Sequence, residues 1–445
     1  MAKVNLPYGI DLFEQLRSRN CYYVDKTGFI RELLSEEFTV NLIARPRRFG
    51  KTLTMSMLAE FFDIRKESRH KFEGLEIMKY ADFCAEWMNQ WPVLFLTLKD
   101  VQGRSFDSAY GMVQFVISSV CGEHDYLSDS DKVSEADKRV FHRLLEQSGT
   151  STDVKTALFV LMRMMKAHYG KEVILLIDEY DVPLAKASDN GYYGEMLEVI
   201  RSLLGMTWKS NPNLKFAVVT GCLRIAKESI FTGANNFISN SISDKKYRDY
   251  FGFSEPEVTA LLETAGLQDA LTEMKKWYDG YCFGGKEIYC PWDVINHVDL
   301  LCSQPDARPQ AYWINTSGND LVKRFVDKAD KTTQNEIERL VAGEAIEKAV
   351  RLELTYDEID NSIDNLWSVL FTTGYLTQAG ETDTGYRLVI PNREVREVFI
   401  LQIQEWFRKT IAQDERPMQA LCQAFLDGDA VEIQKRLNVI LSKMI

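Results

Sequence analysis

Phe38-Thr-Val-Asn-Leu-Ile-Ala-Arg45-Pro46-Arg47-Arg48-Phe49-Gly50-Lys51-Thr52-Leu53 reads as three elements in succession. Phe38 to Ile43 is a short, β-rich apolar run, which predicts a buried strand. A loop follows over residues 45–52. Thr52 then opens a segment with Leu53, Met57 and Phe61 at helical spacing, broadened on the same face by Leu58 and Phe62. A strand, a loop ending in Gly-Lys-Thr and a helix are the context that a Walker A phosphate loop requires. The reason is electrostatic: N–H groups of the loop and of the helix N-terminus receive phosphate oxygens. On this reading Arg45, Pro46, Arg47, Arg48, Phe49, Gly50, Lys51, Thr52 and Leu53 surround the phosphates. Lys51 reaches the β and γ phosphates, and the Thr52 hydroxyl is a ligand for Mg²⁺. The usual loop begins with Gly. Here Arg45 and Pro46 stand at its start, which removes the most permissive residue and one backbone donor.

Val173-Ile-Leu-Leu-Ile177 is a continuous apolar run ending in Asp178 and Glu179. Such a run fits a central parallel strand covered on both faces, with the two acids at its C-terminal end, where open α/β sheets bind ligands. Asp178 is expected to hold the Mg²⁺ shell, and Glu179 to orient and deprotonate an attacking water, beside Lys51. The long separation from Lys51 leaves room for another strand, Pro92–Thr97, and flanking helices. A third run, Leu214 to Gly221, carries Thr220 at its polar end as a candidate γ-phosphate sensor. Arg224 and Lys227 just beyond are further candidates to reach phosphate charge.

The chain has 445 residues, enough for two to four domains, and is 45% hydrophobic and 27% charged, as ordinary globular proteins are. Its longest uninterrupted apolar run is far too short to cross a bilayer, and residues 1–7 carry no apolar stretch of signal-peptide length. Lys+Arg 53 against Asp+Glu 65 leaves a net charge of −12, which argues against non-specific nucleic-acid binding over the whole surface. The 8 cysteines (21, 84, 121, 222, 282, 290, 302, 422) form no CxxC, and fit reduced thiols in a cytoplasm. Cys282, Cys290, His297 and Cys302 cluster in sequence without a tight zinc spacing.

Taken together, these motifs resemble those of the bacterial predicted AAA-ATPase-like proteins, which commonly continue into a PD-(D/E)XK nuclease-like domain. The carriers are Tyr23-Val-Asp-Lys-Thr27, Arg45-Pro-Arg-Arg-Phe-Gly-Lys-Thr52, Leu176-Ile-Asp-Glu-Tyr-Asp181 and Lys227-Glu-Ser-Ile-Phe231. Trp277-Tyr-Asp-Gly-Tyr281, Asn315-Thr-Ser-Gly318, Thr373-Gly-Tyr-Leu376 and Ile390-Pro-Asn-Arg-Glu394 extend the resemblance over Tyr8 to about Lys409. It implies ATP as the nucleotide, an Arg-Pro-Arg-Arg form of the phosphate loop, and a place near the adenine for residues 23–27. No Asp…Glu-x-Lys on a strand is read beyond residue 300, and the sequence stops at Ile445 inside a helical pattern, so nuclease activity is not carried over.

The expected fold is α/β: a P-loop NTPase (ASCE/AAA-like) parallel sheet over residues 1–245, with Phe237–Asp244 supplying the last strand. A helical lid-like segment follows over 246–328, opened by the capping box Ser254-Glu-Pro-Glu257. Within it, Trp277-Tyr-Asp-Gly-Tyr-Cys-Phe283 reads as a packed turn. Residues 329–445 read as a winged-helix-like α+β domain with C-terminal helices. Its parts are a charged helix Thr332–Lys348, a strand Ala349–Leu354, a helix Ile363–Leu370, a hairpin around Glu381-Thr-Asp-Thr-Gly385 and a helix Arg393–Arg408. The hairpin is acidic, which favours protein contact over DNA. Three functions remain open: a Mg²⁺-dependent ATPase, a nucleotide-gated scaffold that hydrolyses little, and a DNA-associated defence or mobile-element component. A protein partner or self-association is expected, and no membrane.

Overall fold

Five parallel strands, β1 (Val40–Ala44), β2 (Val93–Thr97), β3 (Val173–Asp178), β4 (Leu214–Gly221) and β5 (Phe237–Asn240), lie in the order β2-β3-β4-β1-β5. The strand carrying the acids is therefore separated from the strand feeding the phosphate loop by β4. Ala44 stands opposite Gly221, Ile177 opposite Val219, and Thr97 opposite Asp178. The C-terminal ends of β1, β3 and β4 thus meet along one edge of the sheet. The structure describes residues 4–224, 230–231, 236–313, 320–412, 423–424 and 428–442 of this computed structural model. Lys227, Glu228, Ser229 and the Asn315–Gly318 motif lie outside them.

The unbroken apolar run of β3 follows from its place in the sheet. Val173, Leu175 and Ile177 pack in one cluster with helices Phe106–Glu123, Ser151–Tyr169 and Tyr193–Trp208. Ile174 and Leu176 pack in another with helix Lys51–Phe62. Both faces are covered, so neither parity of the strand can be polar. Helix Ser151–Tyr169 delivers the chain to β3: Thr150 and Asp153 form a capping box at its start, and left-handed Gly170 ends it.

The capping box at Ser254 and Glu257 forms as expected and starts helix Glu255–Ala265. Trp277-Tyr-Asp-Gly-Tyr-Cys-Phe283 is more than a turn. Trp277 and Tyr278 end helix Leu271–Tyr278, and Tyr281–Phe283 (β6) pairs with Lys286–Ile288 (β7) as an antiparallel hairpin. The expected helix 332–348 is shorter, Lys331–Ala342, because Gly343 adopts φ 94° and caps it. The strand then comes earlier than its sequence pattern suggests. Ile346–Lys348 (β8) pairs with β10 (Tyr386–Val389), which also pairs with β9 (Thr377–Glu381). Residues 349–354 form no strand: Glu353 makes one isolated bridge to Arg224, while Val350 and Leu352 pack on the cluster that holds Leu366, Trp367 and Leu388.

The apolar clusters cross the expected domain boundaries. Phe49 and Leu223 belong to the cluster formed by residues 281–399, and Leu6 to the one formed by 258–298. Phe49 is the main tie: its ring meets Tyr281 at 4.9 Å and Phe283 at 5.0 Å, anchoring the phosphate loop on the β6–β7 hairpin. Phe49→Ala is expected to cost about 3–5 kcal/mol of unfolding free energy by emptying this site. Urea unfolding of parent and variant measures it, and a loss below about 1 kcal/mol would show that the hairpin does not hold the loop.

Candidate nucleotide site

Gly50 is the N-cap of helix Lys51–Phe62 and adopts φ 82° with no atom near its absent Cβ, so it is the backbone conformation that calls for glycine. No side chain caps this helix. Its first N–H groups are therefore left for an external acceptor. They open on a cavity of about 680 Å³ lined by the loop from Arg47 to Thr54, by Pro7–Asp11, by Tyr22–Val24 and Lys26, and by Pro291, Trp292, Ile295 and Asn296. That is within the size range of small-molecule sites. Its lining holds six basic residues (Lys26, Arg47, Arg48, Lys51, Lys99, Lys186) against two acidic ones (Asp11, Glu179). A chain of net charge −12 has thus concentrated positive charge in one concave place.

Lys51 is buried. Its ammonium donates to the carbonyl oxygens of Arg45 at 3.2 Å and Pro46 at 3.1 Å, and lies 3.3 Å from Glu179 Oε1. Burial acts to lower its pKa, but the acidic groups of Cys222, Glu179, Asp178 and Asp181 outweigh that and hold it above the ordinary lysine value. Thr52 lines the cavity, and its hydroxyl donates to Asp178 Oδ2 at 2.7 Å. Thr220 donates to the other oxygen, Oδ1, at 2.6 Å. Asp178 itself is fully buried and stands behind Thr52 rather than on the cavity wall. Burial and the neighbouring Glu179 raise its pKa, and the two hydroxyls oppose that shift. Glu179 turns the chain at the end of β3 with φ 53°, a left-handed conformation unusual for a glutamate, and this aims its carboxylate into the cavity.

Several expected residues take other places. Arg45 is fully buried, and its guanidinium points away from the cavity. It donates to the carbonyls of Ala44 at 2.9 Å and Asn240 at 3.2 Å, between the rings of Phe251 and Phe283. Burial lowers its pKa to about 10. It clamps the ends of β1 and β5 together. Pro46 packs against residue 374, where φ 90° and a Pro46 carbon 2.9 Å from the missing Cβ admit only glycine. Thr220 faces Asp178, not the cavity. Arg224 is ion-paired to Glu353 at 2.6 Å and does not line the cavity either. Lys227 lies outside the described residues. Among the described residues no three His, Cys, Asp or Glu side chains gather as a metal site, and Cys282, Cys290 and Cys302 form no disulfide.

Residues 7–231 match the family model described as predicted AAA-ATPase. The chain belongs to the AAA-ATPase-like family. A relative from Azotobacter chroococcum mcd 1, described as an uncharacterised protein in the vnfD 5′ region, is 28% identical over 404 residues, covering 89% of this chain and 69% of the relative. Within this family member, three pairings around the site are not visible in the sequence. Trp292 stacks with Tyr8 at 6.1 Å and carries Arg48 over its ring at 4.1 Å. Asp181 is tied to Tyr356, 175 residues away. Asp293 and Glu394 form a buried carboxyl pair behind the wall that Trp292 provides.

That pair makes stability depend on pH. Burial raises Asp293 to about 7, with its neighbours Glu394 and Cys290 and the Arg48 charge opposing; burial and then the Asp293 charge raise Glu394 to about 10. The folded chain then binds more protons than the unfolded one above the ordinary carboxyl range of about 4. Stability from this pair is present near pH 4, falls as pH rises through 7, and is lost above 10. Glu394→Gln, which keeps an acceptor for the Trp313 N–H, should flatten the decline between pH 6 and 9 in urea unfolding. Parallel pH profiles for variant and parent would exclude this origin of the pH dependence.

Proposed function

We propose that this chain binds ATP in the cavity above Gly50–Leu53 and hydrolyses it, its nucleotide state governing the packing of residues 320–412 or contact with a protein partner. One observation carries the reading: an uncapped helix N-terminus opens, with Lys51 and Thr52, onto a cavity of six basic and two acidic residues. Phosphate oxygens accept the orphan N–H groups, and Lys51 exchanges its carbonyl and Glu179 contacts for them. Glu179, released from Lys51, remains at the cavity to orient a water and take its proton. The aromatic and polar wall of Tyr8, Tyr22, Tyr23, Trp292 and Asn296 offers a seat for base and ribose. ATP rather than GTP rests on the family.

The donor set also fits Mg²⁺. Thr52 presents its hydroxyl oxygen at the cavity, and the Asp178 carboxylate stands directly behind it, accepting that hydroxyl's hydrogen bond, so both are oxygen donors. These two residues would hold the ion, which when bound supplies charge neutralisation on the β and γ phosphates.

β8, β10 and β9, with helices Lys331–Ala342, Ile363–Thr372 and Arg393–Ala412, support reading this part as a winged-helix-like unit. Glu381 and Asp383 on its hairpin would repel phosphate, so a protein-contact role is proposed for it. A second reading, nucleotide-gated binding with little turnover, is favoured by Arg224 being held by Glu353 and away from the cavity. Among the described residues no helix is long and apolar enough to cross a membrane.

Lys51→Ala should weaken binding of a fluorescent ATP analogue about 10- to 100-fold, the loss of one charge-assisted hydrogen-bonding group. Parental affinity in this variant would remove the phosphate-loop assignment.

A further inference from the structure

We infer that Asp181 is a positioning residue of the nucleotide site, and that Tyr356 completes its hydrogen-bond shell from the C-terminal part of the chain. Docking of that part then sets the geometry of the β3 and β4 ends. The inference rests on the nucleotide-site reading above.

Asp181 is buried two residues beyond Glu179. Its Oδ2 accepts three donors: Cys222 N–H at 3.0 Å, Leu223 N–H at 2.9 Å and Tyr356 O–H at 2.9 Å. Burial and the neighbouring Glu179 work against its charge, which these donors and the Lys51 ammonium support. Room for it exists because residue 221 is glycine: a Cβ there would stand 2.6 Å from Asp181 Oδ1 and from the Tyr180 ring. The two N–H donors directly follow the end of β4, whose Thr220 holds Asp178, which in turn holds Thr52. Tyr180 adds two ties in parallel, its N–H to the Thr220 carbonyl at 3.0 Å and its hydroxyl to the Leu223 carbonyl at 2.9 Å. A continuous chain of hydrogen bonds and one short backbone link, Thr220–Cys222, thus runs from Tyr356 to the Thr52 hydroxyl.

Tyr356 is held to this place from both sides. Ser188, on the helix Val182–Asn190 that follows the acids, donates to the Tyr356 carbonyl at 3.2 Å. Three residues earlier, Glu353 pairs with Arg224, one residue past Leu223. The C-terminal part therefore grips the turn after β4 at two consecutive points, one through Asp181 and one through Arg224. Arg47 of the phosphate loop lies within electrostatic reach of both Tyr356 and Glu179. Movement of residues 353–356 would remove one of three donors from Asp181 and release Arg224 together.

Amide hydrogen exchange on the full chain tests this. Tyr356→Phe removes only the phenolic donor. Exchange of the peptide containing Cys222 and Leu223 should rise about tenfold or more, while helix Phe106–Glu123 keeps its parental exchange. Asp181→Ala should raise the same local exchange further, and Asp181→Asn, which keeps an acceptor, should recover part of the protection. In turnover assays Tyr356→Phe should lower kcat about tenfold with KM within twofold of the parent. Unchanged exchange at Cys222–Leu223 in Tyr356→Phe, a uniform rise over the whole chain, or a parental kcat would overturn the inference. Absence of ATP binding by the parent would instead sink the nucleotide-site reading, and the exchange data would still judge the Asp181–Tyr356 link.

Discussion

The carboxylate of Asp178 is the point on which the site depends. It is fully buried, and the hydroxyls that reach it, with the Lys51 ammonium, support its charge against burial and the neighbouring Glu179. Those come from Thr52, 126 residues away, and Thr220, 42 residues away. One opens the helix whose uncapped N-terminus faces the cavity, the other ends the strand lying between β1 and β3. The strand order β2-β3-β4-β1-β5 is what allows both to arrive together. Remove β4 from between them and Asp178 keeps one donor, with the start of the Lys51 helix no longer pinned to the acidic strand end. Glu179, next in sequence, is then free to face the opposite way, into the cavity, at the cost of a left-handed backbone of about 1–3 kcal/mol.

Much of this was legible in the residues. The apolar run 173–177 could only be a strand covered on both faces, and its acids could only fall at a strand end. Gly50-Lys-Thr52 after a β-rich run had one sensible conformation, and Phe237–Asn240 took its place beside β1. What escaped was direction and distance. Arg45 looked like a cation for phosphate, yet an arginine at the end of β1 sits where three carbonyl oxygens and two aromatic rings converge. Thr220 was visible as a polar strand end, but not that its hydroxyl turns sideways along the sheet to Asp178. Tyr356 carries no local signal at all, since its partner Asp181 is brought to it only by tertiary packing. The strand at 346–348 was hidden for a similar reason: the better alternating pattern follows it, and pairing with β10 decides the outcome.

The two halves of the chain are closely joined at the phosphate loop. Phe49 is packed by the β6–β7 hairpin, Pro46 by Gly374, and the Arg48 carbonyl accepts from Cys290 at 3.8 Å. A loop held at three places by the second half of the chain cannot change shape without that half responding. Lys51 and Glu179, in turn, neutralise each other in this arrangement. On the proposed function, a triphosphate would compete for Lys51 and release Glu179, so that binding and activation of the base would be one event.

Phosphate release from Mg·ATP by the full chain, with Glu179→Gln as the matched comparison and ATP binding measured on both, tests this most directly. Turnover by the parent that falls about 100-fold or more in the variant, with ATP still bound, is the result expected of a positioned general base. Equal turnover in both proteins would place the chemistry elsewhere. No turnover in either, with ATP bound by both, would contradict hydrolysis by this chain and leave a nucleotide-gated switch in its place.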